Sequence, residues 1–292
     1  MKLEVRGFFD YGVSEHCLDN NKYESTIKLL YDFGYRTIAI NQTIDANELE
    51  QKKKKKKGEL REGPSDFVPE PYKITPLEGY EDLTILNRLT IIFSNQDVMH
   101  KITKSSHYKK YHIIAVLPET VQANAFVCSS FEADILCFRP ENKNHIKRSR
   151  KMYKQLIDRG YHFEIPYAPA IEDAALRRNI IHMAHLYHIF IKSRNVIVSS
   201  LAERPSLLRG PYDIINLGLI FGLNEEQAKN SITTCGRKVF INSVGRKHGK
   251  AVMFAENVEK EESSNDCEII DCVDESEEDM EIDQPALKKV KQ

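Results

Sequence analysis

The chain has 292 residues, 41% hydrophobic and 29% charged, enough for one large α/β domain or two smaller ones that need no disulfide or metal staples. Its net charge of −1 conceals an asymmetry: Glu256 to Asp283 holds 14 acidic residues and one lysine, the last nine residues hold three lysines, and the first 255 residues therefore carry +9. A basic body favours polyanionic partners, RNA foremost, while six scattered cysteines without a Cys-x-x-Cys pair argue against a disulfide-built secreted domain.

In chain order, strand-like runs alternate with helix-like ones. Glu4 to Phe9 reads as a strand. Tyr23 to Phe33 has Ile27, Leu30 and Tyr31 at helical spacing and stops at Gly34, a C-cap signal. Thr37 to Ile40 is a second strand, and Thr84 to Phe93 contains a third. Val98 to Tyr108 reads as helix, Ile113 to Leu117 as strand, Val121 to Phe131 as a weaker helix, and Asp134 to Phe138 as strand. Lys147 to Arg159 is a helix closed by Gly160, followed by the strand His162 to Ile165 and the long helix Asp173 to Lys192. Asn195 to Ser199 is the seventh strand. Two short helices follow from Asp213 and Asn224, the second opened by an Asn224/Gln227 capping box. Continuous apolar strands separated by helices predict parallel pairing. Seven or eight such units in about 250 residues predict a TIM-type α/β barrel, with an open doubly wound sheet as the alternative.

Two segments break this pattern. Residues 47–83 carry the run Lys52 to Lys57 and then Pro64, Pro69, Pro71 and Pro76, and read as an exposed, mobile insertion. The barrel is thus expected to span 1–255, insertion included. Residues 256–292 are expected to form a disordered acidic tail ending in Lys288, Lys289 and Lys291, a candidate nuclear-import cluster. No apolar run approaches membrane-spanning length, and Met1-Lys-Leu-Glu-Val-Arg-Gly has charges where a secretion signal needs its apolar core. The expectation is a soluble intracellular protein with no membrane partner.

Catalytic machinery is hard to find. There is no Gly-x-Ser-x-Gly elbow. Gly245-Arg-Lys-His-Gly-Lys250 fails as a phosphate loop: three rather than four residues separate the glycines, and Ala251 stands where a Mg²⁺-binding hydroxyl is needed. Its Arg246 and Lys247, with Arg237 and Lys238, instead form a basic patch suited to phosphate or simply to water. His182, His185 and His188 recur on the long helix without carboxylate partners, and helices of a barrel lie away from its catalytic face. Metal-dependent barrel phosphoesterases of the polymerase-and-histidinol-phosphatase type carry a His-x-His pair after the first strand. Here Asp10 is present and the pair is absent. A metal-dependent phosphoesterase using Asp10, Glu203 and histidines remains the alternative, as does a pure protein-interaction module.

Four passages resemble one family: Ala39-Ile-Asn-Gln; Leu86-Asn-Arg-Leu-Thr-Ile-Ile; Tyr167-Ala-Pro-Ala-Ile-Glu-Asp with Arg177 and Arg178; and Ser199-Ser-Leu-Ala-Glu-Arg-Pro with Leu208-Arg-Gly-Pro-Tyr-Asp-Ile-Ile-Asn-Leu-Gly-Leu. From about Leu3 to Phe254 the chain is similar, in the same order, to the barrel-fold protein subunit shared by ribonuclease P and ribonuclease MRP. The resemblance implies a barrel that is not itself the catalyst and binds no cofactor. The RNA subunit with Mg²⁺ would cleave precursor tRNA at its 5′ end, and the chain would scaffold ribonuclease P RNA and MRP RNA beside other protein subunits, including a small RRM-like one. It also implies the nucleus, and the nucleolus within it. Arg177, Arg178, Arg204 and Arg209 are then candidates to hold RNA phosphate or a partner carboxylate through the guanidinium fork, against the plainer reading that Arg204 pairs with Glu203 or Asp213.

Overall fold

Seven strands pair in sequence order into one all-parallel sheet: β1 (Phe8–Ser14), β2 (Tyr35–Asp45), β3 (Thr84–Phe93), β4 (Ile113–Pro118), β5 (Ile135–Leu136), β6 (His162–Pro166) and β7 (Val196–Ser199). The computed structural model describes residues 7–18, 22–48, 66–141 and 149–249. Helices α1 (Tyr23–Asp32), α2 (Gln96–Thr103), α3 (Val121–Ser129) and α4 (Arg150–Asp158) connect successive strands. Between β6 and β7 run α5 (Ala168–Glu172) and α6 (Ala174–Ile191), and after β7 come α7 (Pro211–Ile220), α8 (Glu225–Ser231) and α9 (Thr234–His248). This is the expected TIM-type α/β barrel, nearly closed with seven strands.

Among the described residues, closure is made by a seam rather than an eighth strand. Val13 bridges Ala202 in parallel, and Ser14 N–H donates to the Ala202 carbonyl at 3.3 Å. Beside them, Asp10 Oδ1 accepts from the N–H groups of Gly12 (2.9 Å) and Ser200 (3.0 Å), so a side chain supplies the acceptor that a ladder would. A Cβ on Gly12 would lie 2.7 Å from the Leu201 nitrogen, which only glycine avoids.

Strand alternation divides the core. Ile38, Leu89, Ile91, Ile114, Val116, Phe163 and Val198 pack outward under the helices. Phe9, Tyr11, Ala39, Leu86, Ile113, Ala115, Ile135 and Ile197 fill the interior together with Val239, Phe240 and Val244 of α9. Phe9, Leu86, Ile113 and Ile135 stand at the starts of their strands, so α9 plugs the N-terminal end of the barrel. Tyr11 Oη donates to the Gly236 carbonyl at 2.7 Å and Phe9 N–H to the Ile232 carbonyl at 2.9 Å. A Cβ at Gly236 would sit 2.5 Å from Phe9 Cγ, which is why a glycine marks the contact.

The structure corrects four expectations. The first strand, expected to end at Phe9, runs Phe8–Ser14, residues 1–6 being outside the described residues; its polar Asp10, Gly12 and Ser14 disguise a strand that faces the seam. The helix expected to Tyr108 stops at Thr103, and a separate turn of 3₁₀ helix follows at Tyr108–Lys110. The basic patch of Arg237, Lys238, Arg246 and Lys247, expected to face phosphate or water, lies on the plug helix α9, which turns Arg246 inward to Asp134. Residues 66–83 of the expected mobile insertion pack on the barrel. Val68 is buried, Tyr72 N–H donates to Gln42 Oε1 (3.1 Å), and Asn87 Nδ2 donates to the Tyr72 carbonyl (3.1 Å). Side chains of neighbouring strands satisfy this extended backbone, a pattern that proline content hides. The lysine run itself and the acidic tail lie outside the described residues. The Asn224/Gln227 capping box forms as read.

Candidate RNA and protein interface

At the C-terminal mouth, where α/β barrels place catalysis, the interior turns polar. Arg88 from β3 and Glu164 from β6 face each other, 0% and 1% exposed, and form a two-pronged pair, Nη1–Oε1 2.5 Å and Nη2–Oε2 2.7 Å. The remaining guanidinium protons go to the Tyr11 carbonyl (2.9 Å), Thr90 Oγ1 (3.2 Å) and Cys137 Sγ (3.3 Å). Glu164 also accepts from Ser199 Oγ (2.5 Å) and Cys137 Sγ (3.0 Å). Burial alone would raise the Glu164 carboxyl, but Arg88 and these hydrogen bonds outweigh it and hold it below the ordinary carboxylate range. Burial and Glu164 together push the Cys137 thiol well up, so it is no nucleophile.

A cavity of about 530 Å³ opens above this pair, rimmed by Ser14, His16, Thr43, Arg139 and Glu203. Arg88 is among its lining residues, a fixed cation where a metal-dependent barrel would gather anionic ligands. Asp10 is tied to the seam, and burial raises its pKa more than its two N–H donors lower it. Among the described residues no three of His, Cys, Asp and Glu converge on a metal position. The chemistry available here is cohesion of the barrel.

The arginines read from the sequence fall on two ends of the molecule. Arg177, Arg204 and Arg209 gather at the C-terminal end, around the loops after β6 and β7. Arg204 pairs with Glu172 at the end of α5, instead of Glu203 or Asp213, because the 3₁₀ turn Pro205–Leu207 swings it across to the neighbouring loop. Arg177 caps the same helix end, donating to the carbonyls of Ala170 (2.6 Å) and Ile171 (3.3 Å). Arg209 donates to the carbonyls of Ser206 (2.9 Å) and Leu208 (2.8 Å), while its own N–H and carbonyl are held by the hydroxyls of Tyr167 and Tyr35. Arg178 is exposed on α6 and makes no ion pair among the described residues.

The second group sits on α9 at the opposite end. Arg237, Lys238 and Lys247 are exposed. Arg246 is not: 14% exposed, it donates to Asp134 (Nη2–Oδ2 2.8 Å) and to the His112 carbonyl (3.0 Å), anchoring α9 to the starts of β4 and β5. Its place in the basic patch is structural. Lys288, Lys289 and Lys291 lie outside the described residues.

One feature escaped the sequence reading. Helix α7 buries Ile214 and Gly218 against α8, where a Cβ on Gly218 would meet Ala228 Cβ at 2.8 Å. Its outer face presents Tyr212 (73% exposed), Leu219 and Ile220. The signal was available in Pro211-Tyr-Asp-Ile-Ile-Asn-Leu-Gly-Leu-Ile220, which is more apolar than one buried face requires.

Fold and site together define a parallel α/β barrel with a salt-bridged mouth and basic and apolar outer faces. The chain belongs to the RNase P subunit p30 family, whose model matches residues 7–248. It is 36% identical over 217 residues to ribonuclease P protein subunit p30 of Mus musculus, covering 73% of this chain and 78% of that one. It is 22% identical over 236 residues to the ribonuclease P/MRP protein subunit RPP1 of Saccharomyces cerevisiae, covering 79% and 75%. A chain in a cryo-EM structure of archaeal ribonuclease P with mature tRNA shares the fold, with a TM-score of 0.58 at 16% identity over 88% of this chain and 100% of the other.

Proposed function

We propose that this chain is a non-catalytic protein subunit of ribonuclease P, and of the related ribonuclease MRP, which positions RNA and protein around an RNA catalyst. Family membership across the whole barrel supports the assignment to ribonuclease P, and the name of the yeast relative supports the link to MRP. The observation that carries the non-catalytic reading is the Arg88–Glu164 pair: beneath the mouth cavity, where a barrel enzyme would set its reacting groups, the two charges are closed on each other as an internal ion pair. In this reading Mg²⁺ belongs to the RNA, which cleaves precursor tRNA at its 5′ end, and this chain binds no cofactor. Arg177, Arg178, Arg204 and Arg209 at one end, and Arg237, Lys238 and Lys247 at the other, are its phosphate-facing cations. The Tyr212–Leu219–Ile220 face of α7 takes a small RRM-like protein subunit. The particle is nuclear and nucleolar, with Lys288, Lys289 and Lys291 serving import.

The test is to purify the tagged full chain from nuclear extract, sequence its RNA, and assay precursor tRNA cleavage before and after nuclease digestion. Ribonuclease P or MRP RNA, with activity lost on digestion, is the expected result. Activity that survives nuclease and falls to a chelator would return Asp10 and Glu203 to consideration as metal ligands.

A further inference from the structure

On the flank of the barrel, between α2, α3 and the last turn of α9, lies a cleft of about 550 Å³ that neither the salt-bridged mouth nor the α7 face accounts for. Its walls are aromatic. Phe126 on α3 and Phe131 just beyond it stand 5.7 Å apart, ring centre to ring centre, and His100 on α2 meets Phe126 edge-on at 5.9 Å. Tyr108 closes one side. His100 is exposed, Phe126 and Tyr108 pack against the core but stay half-buried, and Phe131 behind them is buried, so His100, Phe126 and Tyr108 keep ring surface open to solvent.

The rim is cationic. Lys109 is exposed, and Lys247 reaches only the Lys110 carbonyl, at 3.3 Å, with no ion pair among the described residues. Arg246 at the back is neutralised by Asp134, and Glu132 is the one carboxylate on the lining. Burial, with the Arg246 charge behind it, lowers the Lys247 pKa against the opposing pull of Asp134. Thr103 and Ser130 add hydroxyls at the edge.

We propose that this cleft binds a single unpaired nucleotide of RNA, its base against Phe126 and His100 and its phosphate between Lys109 and Lys247. Aromatic faces that accept any base, beside ammonium groups that accept the phosphate, are the general solution for single-stranded RNA. The volume suits one small ligand and not a helix of protein or nucleic acid. Lys247 joins the cleft to α9, whose earlier turns carry the exposed Arg237 and Lys238, so a strand tracking that helix can enter it. This inference rests on the ribonuclease P reading and goes further, naming the contact and the form of RNA recognised.

The experiment uses the particle purified through the tagged full chain. It is irradiated at short ultraviolet wavelength, digested, and its RNA-linked peptides are identified by mass spectrometry. The expected result is a nucleotide adduct within residues 100–109 or 126–131. The adduct should fall at least about fivefold in Phe126→Leu, which keeps the apolar bulk and removes the stacking face, and in Lys109→Ala, which alters only an exposed side chain. RNA recovered with adducts only elsewhere overturns the cleft and leaves the ribonuclease P reading standing. No RNA at all overturns both. In a parallel sample treated with an amine-reactive cross-linker, a partner protein joined through Lys109, with no RNA adduct in these peptides, shows the cleft to be a protein socket and overturns the proposal.

Discussion

Removing one member of the Arg88–Glu164 pair tests both the architecture and the function drawn from it. Arg88→Met leaves Glu164 buried without its counter-charge, and Glu164→Leu leaves Arg88 so. Stripping one partner from a buried pair costs about 3–5 kcal/mol, because the survivor keeps its desolvation penalty and loses its attraction. For a barrel of this size that is a drop of roughly 6–20 °C in Tm. The double variant removes both charges at once, and its cost should fall short of the sum of the singles by a coupling energy of about 2–3 kcal/mol. The assay is urea unfolding followed by circular dichroism on the four proteins, then incorporation of the folded double variant into the particle and assay of precursor tRNA cleavage. Singles no less stable than the parent, or a double as costly as their sum, would refute the pair as a closed unit. A stable, assembled double variant that no longer cleaves would refute the non-catalytic barrel.

Three further outcomes follow from the same structure. Gly236→Ala drives a Cβ into Phe9 and should cost about 1–3 kcal/mol in unfolding free energy, with α9 fraying first in hydrogen exchange. His162 is buried and His112 half-buried, and burial lowers each from 6.5 to about 4. The unfolded chain therefore takes up protons first. Their stabilisation is full above about pH 6.5 and is lost as pH falls towards 4, so urea midpoints should decline across that window, and less steeply in His112→Asn. On α7, Tyr212→Ser with Leu219→Ser should leave stability within about 0.5 kcal/mol while weakening capture of the RRM-like subunit at least about tenfold. Unchanged capture would move the protein interface elsewhere.

Local pattern alone carried much of the fold. The β-branched runs of β4 and β7, the Asn224/Gln227 box and the spacing of α6 are each settled by interactions within a few residues, and the parallel barrel follows from their alternation. Tertiary structure decided what depends on residues distant in the chain. Arg88 reads as an ordinary strand residue until a partner 76 positions away faces it across the barrel. Asp10 reads as a stray metal ligand until the N–H of Ser200, 190 positions on, arrives to close the seam. Arg246 reads as one more surface cation until α9 folds under the barrel and delivers it to Asp134. A charged residue in sequence carries its charge but not its counter-charge. Whether it greets solvent, RNA or a buried partner is set by which strands close the ring, and that is a property of the folded chain.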